Sequence, residues 1–490
     1  MTPRAAGGLG RPVDLDLSRV WLVDPWAGRE GPAELVVRRG VIEAVTWLRG
    51  VEAGGVDDRG VVVAPGFTDL HVHLREPGNE AAETIASGLA AAAHGGFTTV
   101  CAMPNTTPAM DHASLLVGLS AAVASSGSPV SVLAYGAATV GRAGEQLAPL
   151  GELADAGVVG FSDDGTPIRS APLLRSALAY AGMLGLPIVD HAEDPTLTDG
   201  AEANEGLVAT VLGLKGWPAA AEASAVARDI AILADVLRDV RGARLHLTHL
   251  STGASLELVR RAKAGGLPVT CDVTPHHLAF TDEWLAGARR FAWDAVREDA
   301  AGERAASDPW RDGAITARPF DSALRVNPPL RSPVDAAACL AALADGTADA
   351  IATDHAPHAA VDKDVEFGLA ANGISGLETA LGLVLEAVDA GRLRLSTAIA
   401  ALTAGPTRVL GGAAPSSGGA RTGGRRRGPG RLTVGAPADL VVFDRSDRWA
   451  VTPEALASRG KNTPLLRRDL PGRVLLTVAG GRLAYEAPPG

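Results

Sequence analysis

Short apolar runs alternate with alanine- and leucine-rich segments of helical length through the middle of the chain. Strands that alternate with helices are typical of parallel β/α units. Roughly eight units between residues 64 and 408 predict an α/β protein with a (β/α)₈ TIM-type barrel and insertions. A doubly wound sheet is the alternative, but no G-x-G-x-x-G motif follows the first strand. The apolar runs are 97–103, 130–136, 157–163, 186–192, 243–251, 267–275 and 349–357.

Both ends of the chain have a different pattern, in which short strands are separated only by turn residues. Such strands lie within 13–63 near the start and within 432–490 near the end. Closely spaced strands with short turns indicate antiparallel pairing. The simplest arrangement folds the two ends together as one small β-domain beside the barrel.

Two stretches interrupt these patterns. Residues 411–431 are rich in glycine, arginine and serine and have no apolar periodicity, which predicts a disordered loop. Its arginine run is interpreted as a solvated linker rather than as a nucleic-acid patch. Residues 286–320, with Trp293 and Trp310 among many charges, are expected to form an exposed helical excursion.

Composition and charge narrow the class of protein. Of 490 residues, 47% are apolar and 21% are charged, as in ordinary globular proteins. A net charge of −11 argues against nucleic acid or an anionic membrane as the main partner. No apolar run reaches the roughly 18–20 residues of a membrane span, and no signal-peptide core is present near the N-terminus. Three widely spaced cysteines, Cys101, Cys271 and Cys339, fit a reducing cytoplasm.

Histidines and aspartates fall at the ends of the predicted strands, where barrel enzymes carry their active sites. His71 and His73 are two residues apart, so both imidazoles project from one face of a strand, about 6–7 Å apart. An isolated H-x-H is a weak signal, but His191, His249 and Asp354 each end a later strand. Four imidazoles and a carboxylate suit zinc or another borderline first-row metal.

A series of motifs in this order resembles the dihydroorotases of the amidohydrolase superfamily, in their type I bacterial branch: GFTDLHVHLREPG, MPNTTP, GFSDDG, DHAED, THLST, NPPLR, ATDHAPH and GISGLETAL. The resemblance covers roughly residues 15–485 apart from the two interrupting stretches. It implies a metal-bearing barrel beside a β-sandwich built from both chain ends. It also implies reversible cyclisation of N-carbamoyl-L-aspartate to (S)-dihydroorotate and water, in de novo pyrimidine biosynthesis, by metal-activated water.

The resemblance also bears on the metal ligands. Many relatives bridge two metals with a carboxylated lysine, yet this chain has no lysine between residues 74 and 190. In type I dihydroorotases an aspartate takes the bridging place, in a motif like FSDDG. Alternation along a strand lets only one of Asp163 and Asp164 face the pocket. The family's spacing to His191 favours Asp164, Asp163 is held in reserve, and a turn with solvated acids is the alternative. One or two zinc ions are implied.

Substrate contacts follow from the same resemblance. Arg75 lies two residues after His73 on the same face and can bind a carboxylate through two hydrogen bonds, with a surface salt bridge as the alternative. The substrate-binding residues implied are Arg75, Asn105, Asn327, His358, Asn372 and Gly373. Relatives often carry Phe-Gly where this chain has Asn372 and Gly373. The substitution of asparagine for phenylalanine puts the stacking contact with the substrate in question, whereas the glycine keeps its backbone role. Where relatives often have lysine before VNPPL, this chain has Arg325, which keeps the charge.

The implied mechanism makes Asp354 both a metal ligand and the general acid/base. Among the other histidines, His246 is expected to pack in the interior or to support the metal ligands, and His355 is expected to have a structural role. His276 and His277 are candidates to line the pocket. His94 and His112 are expected at the surface.

The alternatives to a dihydroorotase are a related cyclic amidase (hydantoinase, dihydropyrimidinase or allantoinase) and a non-catalytic scaffold subunit. The absent lysine and the H-L-R triplet argue against the first two amidases, and the complete ligand set argues against a scaffold. The family expectation is a homodimer that binds a small-molecule substrate, with association with aspartate transcarbamoylase as a further option.

Overall fold

The computed structural model of the chain describes residues 8–50, 55–298, 304–306, 308–411 and 431–488. Four strands come first, and the alternation of buried and exposed positions along β1 and β2 is typical of strands with one inward face. They are β1 (Leu15–Asp24), β2 (Arg29–Arg38), β3 (Val41–Trp47) and β4 (Val61–Pro65).

The next strands form the predicted barrel. The barrel strands are β5 (Phe67–Val72), β6 (Phe97–Ala102), β7 (Ser131–Ala134) continued by β8 (Gly136–Ala137), β9 (Phe161–Ser162), β10 (Ile188–Asp190), β13 (Leu245–Leu247), β14 (Val269–Val273) and β17 (Ala350–Ile351). Outside the barrel, β11 (Ala203–Asn204) pairs with β12 (Gly216–Trp217), and β15 (Val296–Glu298) with β16 (Arg304–Ala306).

Every pairing between neighbouring barrel strands is parallel, from β5 round to β17. A parallel bridge between Val72 and His355 returns from the last strand to the first and closes the ring. All positions of β5 and β6 are buried, as expected of strands covered on both faces. The (β/α)₈ prediction is confirmed.

Helices connect the barrel strands, and several begin at a residue whose hydroxyl accepts a hydrogen bond from the first turn. Thr84, Ser170, Thr252 and Ser332 cap in this way the helices that begin at Ile85, Ala171, Gly253 and Pro333. The helices are α1 (Ile85–His94), α2 (Ala113–Ser126), α3 (Leu150–Asp155), α4 (Ala171–Leu184), α5 (Leu207–Leu212), α6 (Ala220–Val236), α7 (Gly253–Ala264), α8 (Pro275–Ala279), α9 (Ala292–Ala295), α10 (Pro333–Asp345), α11 (Ala360–Lys363), α12 (Ala380–Asp389), α13 (Leu395–Leu402) and α14 (Ala404–Val409). None of the described helices is long and apolar enough to cross a membrane.

The chain ends with β18 (Leu440–Ala450), β19 (Asp469–Ala479) and β20 (Arg482–Glu486). These strands join β1–β4 in one seven-stranded sheet, in the order β20-β19-β18-β4-β1-β2-β3. Neighbouring residues of its strands point to opposite faces of the sheet. Val62 and Phe443, on one face, belong to the hydrophobic cluster of the barrel, whereas Val63 and Val442, on the other, belong to a second cluster formed by residues of the sheet domain. Both ends of the chain therefore build one sheet domain against the barrel.

The two interrupting stretches have different outcomes. Residues 412–430 of the Gly/Arg-rich stretch lie outside the described residues. Within 286–320, the expectation of a helical excursion was wrong for the described part, where α9 is a single turn and β15 and β16 form a hairpin. Trp293 is buried and stacks on Phe291 with 4.8 Å between ring centroids, so side-chain packing and not helical pattern organises this stretch.

Candidate metal centre

The carboxyl ends of the barrel strands bring six side chains into one buried pocket. Because the strands are parallel, residues at or just after the carboxyl ends of β5, β9, β10, β13 and β17 meet at one end of the barrel. None of the six residues is more than 6% exposed. The structure thus brings together all the residues that the sequence placed in a metal site: His71, His73, Asp164, His191, His249 and Asp354.

One half of the pocket is formed by two imidazoles and two carboxylates. The Nε2 atoms of His71 and His73 lie 3.3 Å apart. Asp354 Oδ1 is 3.1 Å from His73 Nε2 and 3.5 Å from His71 Nε2. Asp164 Oδ2 faces the same two nitrogens at 3.3 and 3.6 Å. Four potential ligand atoms therefore converge without backbone atoms between them.

The other half uses the second oxygen of the same aspartate. Asp164 Oδ1 lies 3.6 Å from His191 Nδ1 and 3.5 Å from His249 Nε2, and these two nitrogens are 3.0 Å apart. Each oxygen of Asp164 therefore faces a separate pair of imidazoles. Asp163 points elsewhere and accepts hydrogen bonds from the backbone N–H groups of Ala138 and Thr139 and from the Thr139 hydroxyl.

The donor set fits a divalent metal ion. Asp164 Oδ1 is buried and has no hydrogen-bond partner among the described residues. His71 Nδ1 and His73 Nδ1 lie 2.8 Å from Thr248 Oγ1 and Asn105 Oδ1. Protons on the Nδ1 atoms satisfy these oxygens and leave both Nε2 lone pairs directed into the pocket, as in metal-ligating histidines.

Electrostatics in the pocket favour positive charge. Burial alone would raise the pKa of Asp164, but the neighbouring imidazoles outweigh it and hold that pKa well below its usual value. Burial alone would lower the pKa of His191, but the carboxylates of Asp164 and Glu193 raise it to about 10. Carboxylates that stabilise protonated imidazoles in this way also stabilise a bound cation when the imidazoles are neutral.

Buried carboxylates behind the pocket orient its residues, and sequence reasoning missed them. Glu193 Oε2 lies 3.1 Å from His191 Nε2, and Asp272 Oδ1 accepts from the His249 backbone N–H at 2.7 Å. Asp69 Oδ1 accepts from the backbone N–H of His71. The available signals were the positions of Glu193 two residues after His191, in DHAED, and of Asp69 two residues before His71.

Three residues of the site have strained backbones. Arg75, His249 and Asp354 have φ angles of 61°, 42° and 48°, in the left-handed region that non-glycine residues rarely adopt. Such conformations cost about 1–3 kcal/mol each and persist where surrounding contacts enforce them. Three of the eight described non-glycine residues with positive φ therefore belong to this site.

The predicted substrate side of the pocket is organised around Arg75. Its Nε donates to Pro357 O at 3.1 Å, and its Nη2 lies 3.3 Å from His358 Nε2. Among the described residues it forms no salt bridge, so the surface salt-bridge alternative finds no partner there. Gly373 approaches His358 closely, and a Cβ on it would lie 2.5 Å from Ala356 Cβ, with a φ of 145°. Only glycine fits at this position.

The two predicted asparagines contact the centre through other side chains. Asn105 Oδ1 accepts from His73 Nδ1, and Asn327 Nδ2 donates to Glu193 Oε2 at 3.1 Å. Both lie at the edge of the pocket, and their role in substrate binding stays a prediction.

The remaining histidines divide by their partners. His246 Nε2 lies 2.8 Å from Asp272 Oδ2, and His355 Nδ1 accepts from Gly376 N, so both support the centre as expected. His277 bonds Thr274 and the carbonyl of Pro328. His276 is buried, and its Nε2 has no hydrogen-bond partner among the described residues.

Comparison with known proteins shows that this chain is similar to one family model and to several curated dihydroorotases. A family model described as Dihydro-orotase-like matches residues 60–255. The dihydroorotase of Anaeromyxobacter dehalogenans strain 2CP-1 is 44% identical, covering 95% of this chain and 96% of its own length. Those of Pelotomaculum thermopropionicum and Geobacter sp. strain M21 are 42% and 40% identical, covering 95% of this chain and 97% and 98% of their own lengths.

Solved structures resemble this chain in fold. An L-hydantoinase (dihydropyrimidinase) from Arthrobacter aurescens superposes with a TM-score of 0.74 at 23% identity, covering 96% of both chains. A D-hydantoinase (dihydropyrimidinase) from Thermus sp. has a TM-score of 0.68 at 21% identity, covering 96% of this chain and 95% of its own. At these identities the similarity establishes the barrel and its sheet domain, and no substrate.

Proposed function

The chain belongs to the dihydroorotase family, and we propose that its pocket catalyses the reversible cyclisation of N-carbamoyl-L-aspartate to (S)-dihydroorotate and water in pyrimidine biosynthesis. The observation that carries this proposal is the position of Asp164 between two imidazole pairs, with Asp354 beside one of them. This arrangement places a metal site and a proton carrier together, as hydrolysis or closure of a cyclic amide requires.

The metal is assigned to His71, His73, Asp164, His191, His249 and Asp354, which would hold one or two zinc ions. Asp164 would be the ligand that stands in place of the carboxylated lysine of other amidohydrolases. A zinc ion held by these residues would supply Lewis acidity, which lowers the pKa of water and polarises an amide carbonyl. Glu193 and Asn105 keep the ligand imidazoles in the required orientation.

Asp354 carries the proton. Burial alone would raise its pKa, but the imidazoles of His71 and His73 outweigh this and keep that pKa below its usual value, so the carboxylate is ionised at neutral pH. In hydrolysis it accepts the proton of the attacking water and delivers it to the ring nitrogen as the C–N bond breaks. In ring closure it takes a proton from the ureido nitrogen and gives it to the departing oxygen.

Arg75 binds the exocyclic carboxylate of the substrate. A guanidinium can hold a carboxylate through two parallel hydrogen bonds, and Arg75 has no ionic partner among the described residues. Asn105, Asn327, His358, Asn372 and Gly373 complete the substrate side. Binding at the carboxylate fixes the ring relative to Asp354 and selects against cyclic amides that lack it.

The second candidate function is a related cyclic amidase, which the structural similarity to hydantoinases favours. Purified protein, assayed for bound metal and for turnover of dihydroorotate, dihydrouracil, hydantoin and allantoin, decides between them. We expect bound zinc and a strong preference for dihydroorotate. Preferred turnover of a substrate without a carboxylate would favour the other amidases, and absent metal and turnover would indicate a scaffold.

The substitution Arg75→Ala tests the basis of that preference. It should lower kcat/KM for dihydroorotate by about 100-fold, through loss of a charge-assisted pair of hydrogen bonds, and affect dihydrouracil much less. Equal losses on both substrates would contradict the role of Arg75.

The cellular setting is also proposed. All three cysteines are buried and free, which suits the cytoplasm. A homodimer and an association with aspartate transcarbamoylase are the partner states to examine by light scattering of the purified chain with and without that enzyme.

A further inference from the structure

Arg325 and Asn372 touch each other beside the predicted substrate side of the pocket. Arg325 Nε donates to Asn372 Oδ1 at 3.1 Å. The same guanidinium donates through Nη1 to the carbonyl of Phe367 at 2.7 Å. One side chain therefore binds both ends of the segment 367–373, which borders the substrate side of the pocket.

The backbone of Arg325 strengthens this attachment. Gly373 N donates to Arg325 O at 2.9 Å, and Lys363 Nζ donates to the same oxygen at 3.1 Å. Lys363 Nζ also donates to Ser322 O at 2.9 Å. Arg325 thus contributes both a side-chain and a main-chain attachment to the segment 367–373, which Asn462 Nδ2 and Asp362 O also hold, at Gly373 O and Ala371 N.

The held segment presents one carbonyl to His358. Asn372 O lies 2.8 Å from His358 Nε2, whereas Arg75 Nη2 lies 3.3 Å from the same nitrogen. A carbonyl is only an acceptor and a guanidinium is only a donor, so Nε2 cannot satisfy both. The shorter contact places the proton on Nε2, which donates it to Asn372 O. His358 then cannot accept from Arg75, and Arg75 Nη2 keeps its hydrogens for another acceptor.

We propose that Arg325 is a positioning residue for substrate binding: by fixing Asn372 it selects the His358 tautomer that leaves Arg75 free to bind the substrate carboxylate. This inference rests on the proposed function, in which Arg75 binds that carboxylate. Arg325 itself need not touch the substrate. Loss of its side chain would remove the contacts with Asn372 Oδ1 and Phe367 O and leave only the main-chain bond to Gly373 N. Asn372 O could then shift, and His358 Nε2 could accept a hydrogen bond from Arg75 in competition with the carboxylate.

The expected signature is an effect on KM and not on kcat. In Arg325→Ala, the KM for dihydroorotate should rise about tenfold, the effect of one weakened charge-assisted hydrogen bond, with kcat changed less than about twofold. Arg325→Lys keeps the charge but cannot contact Phe367 and Asn372 together, so its KM should lie between those values. Arg311→Ala, at a side chain that is 89% exposed, is the matched control and should leave KM unchanged.

A double-mutant cycle shows whether Arg325 acts through Arg75. In an Arg75→Ala background, Arg325→Ala should produce no further rise in KM, because no guanidinium remains to be competed for. Additive effects, or a fall in kcat, bound metal and thermal stability together, would overturn the proposal and indicate a merely structural role. If the unsubstituted protein binds zinc but does not turn over dihydroorotate, the proposed function fails instead, which the first arm of the experiment reveals.

Discussion

Asp163 and Asp164 are adjacent, both are buried, and their environments are opposite. Burial raises the pKa of Asp163 to about 6, because hydrogen bonds from Thr139 and Ala138 offset the loss of water only in part. Burial would do the same to Asp164, but three imidazoles hold its pKa well below the usual value. Two adjacent residues directly after β9 therefore face opposite environments: Asp163 accepts hydrogen bonds from the backbone, and Asp164 faces the imidazoles.

The same division extends around the pocket. Asp69 resembles Asp163: burial raises its pKa to about 6, and it accepts from the backbone N–H groups of His71 and Thr353 and from the Thr353 hydroxyl. Glu193 and Asp354 resemble Asp164, since each faces imidazole. We call Asp69 and Asp163 the outer carboxylates, which join strand ends, and Asp164, Asp354 and Glu193 the inner carboxylates, which balance positive charge.

The largest effect is expected at Asp354, the inner carboxylate proposed to carry the proton. Asp354→Asn keeps an oxygen near His73 but cannot accept and return a proton, so turnover of dihydroorotate should fall at least about 100-fold. Metal analysis should show most of the metal retained, because five other ligands remain. Turnover near that of the unsubstituted protein would remove Asp354 from the inner group.

A smaller effect is expected for Glu193, the inner carboxylate that contacts the imidazole of His191. Glu193→Gln removes the charge that faces His191 Nε2 and should weaken metal binding by about 10–100-fold, as outer partners of ligating histidines do. Titration with a chelator measures this. Glu205→Gln, at an exposed glutamate of the same region, is the control, and equal affinities in the two variants would place Glu193 outside the inner group.

The adjacent aspartates provide the most direct test of the division. Asp163→Ala leaves the buried N–H groups of Ala138 and Thr139 without their acceptor and should cost about 1–3 kcal/mol of unfolding free energy. Its metal content should be retained. Asp164→Ala should lose bound metal instead. Urea unfolding and metal analysis of both variants measure these effects. Loss of metal from Asp163→Ala instead of Asp164→Ala would reverse the assignment.

The sequence predicts the residues that face the pocket better than the carboxylates that support them from behind, for a physical reason. Metal-facing residues follow strand periodicity, so His71 and His73 can be placed on one face from their spacing alone. The contact of His249 with Asp272 depends on the register between β13 and β14, which sets His246 opposite Thr270. No periodicity within a single strand specifies that register.

Loop contacts are harder still to predict. The bond between Arg325 and Asn372 joins residues 47 positions apart in the chain, and it depends on how two loops cross at the mouth of the barrel. The stretch 286–320 is predicted helical, whereas its described residues include a hairpin and one helical turn, with Trp293 buried. In both places tertiary packing decides the conformation, and local sequence preferences do not.

The smallest expected effect concerns a buried carboxyl that faces no imidazole. Asp282 Oδ2 accepts from Asn204 Nδ2 at 2.9 Å, and burial, together with the charges of Glu283 and Asp335, raises the pKa of Asp282 to about 7. Between about pH 4 and about pH 7 the folded chain keeps a proton that the unfolded chain has released. Unfolding free energy should therefore fall as pH rises through this window, by at most about 1.4 kcal/mol per pH unit from this group.

Asp282→Asn cannot ionise and isolates that contribution. The difference in unfolding free energy between Asp282→Asn and the unsubstituted protein should change in favour of the variant from about pH 5 to about pH 7 and then become constant. Other titrating groups contribute equally to both proteins and cancel in the difference. Parallel stability curves across this range would mean that Asp282 is ionised in the folded state, and that a buried carboxyl here keeps its charge without the imidazoles that the inner carboxylates require.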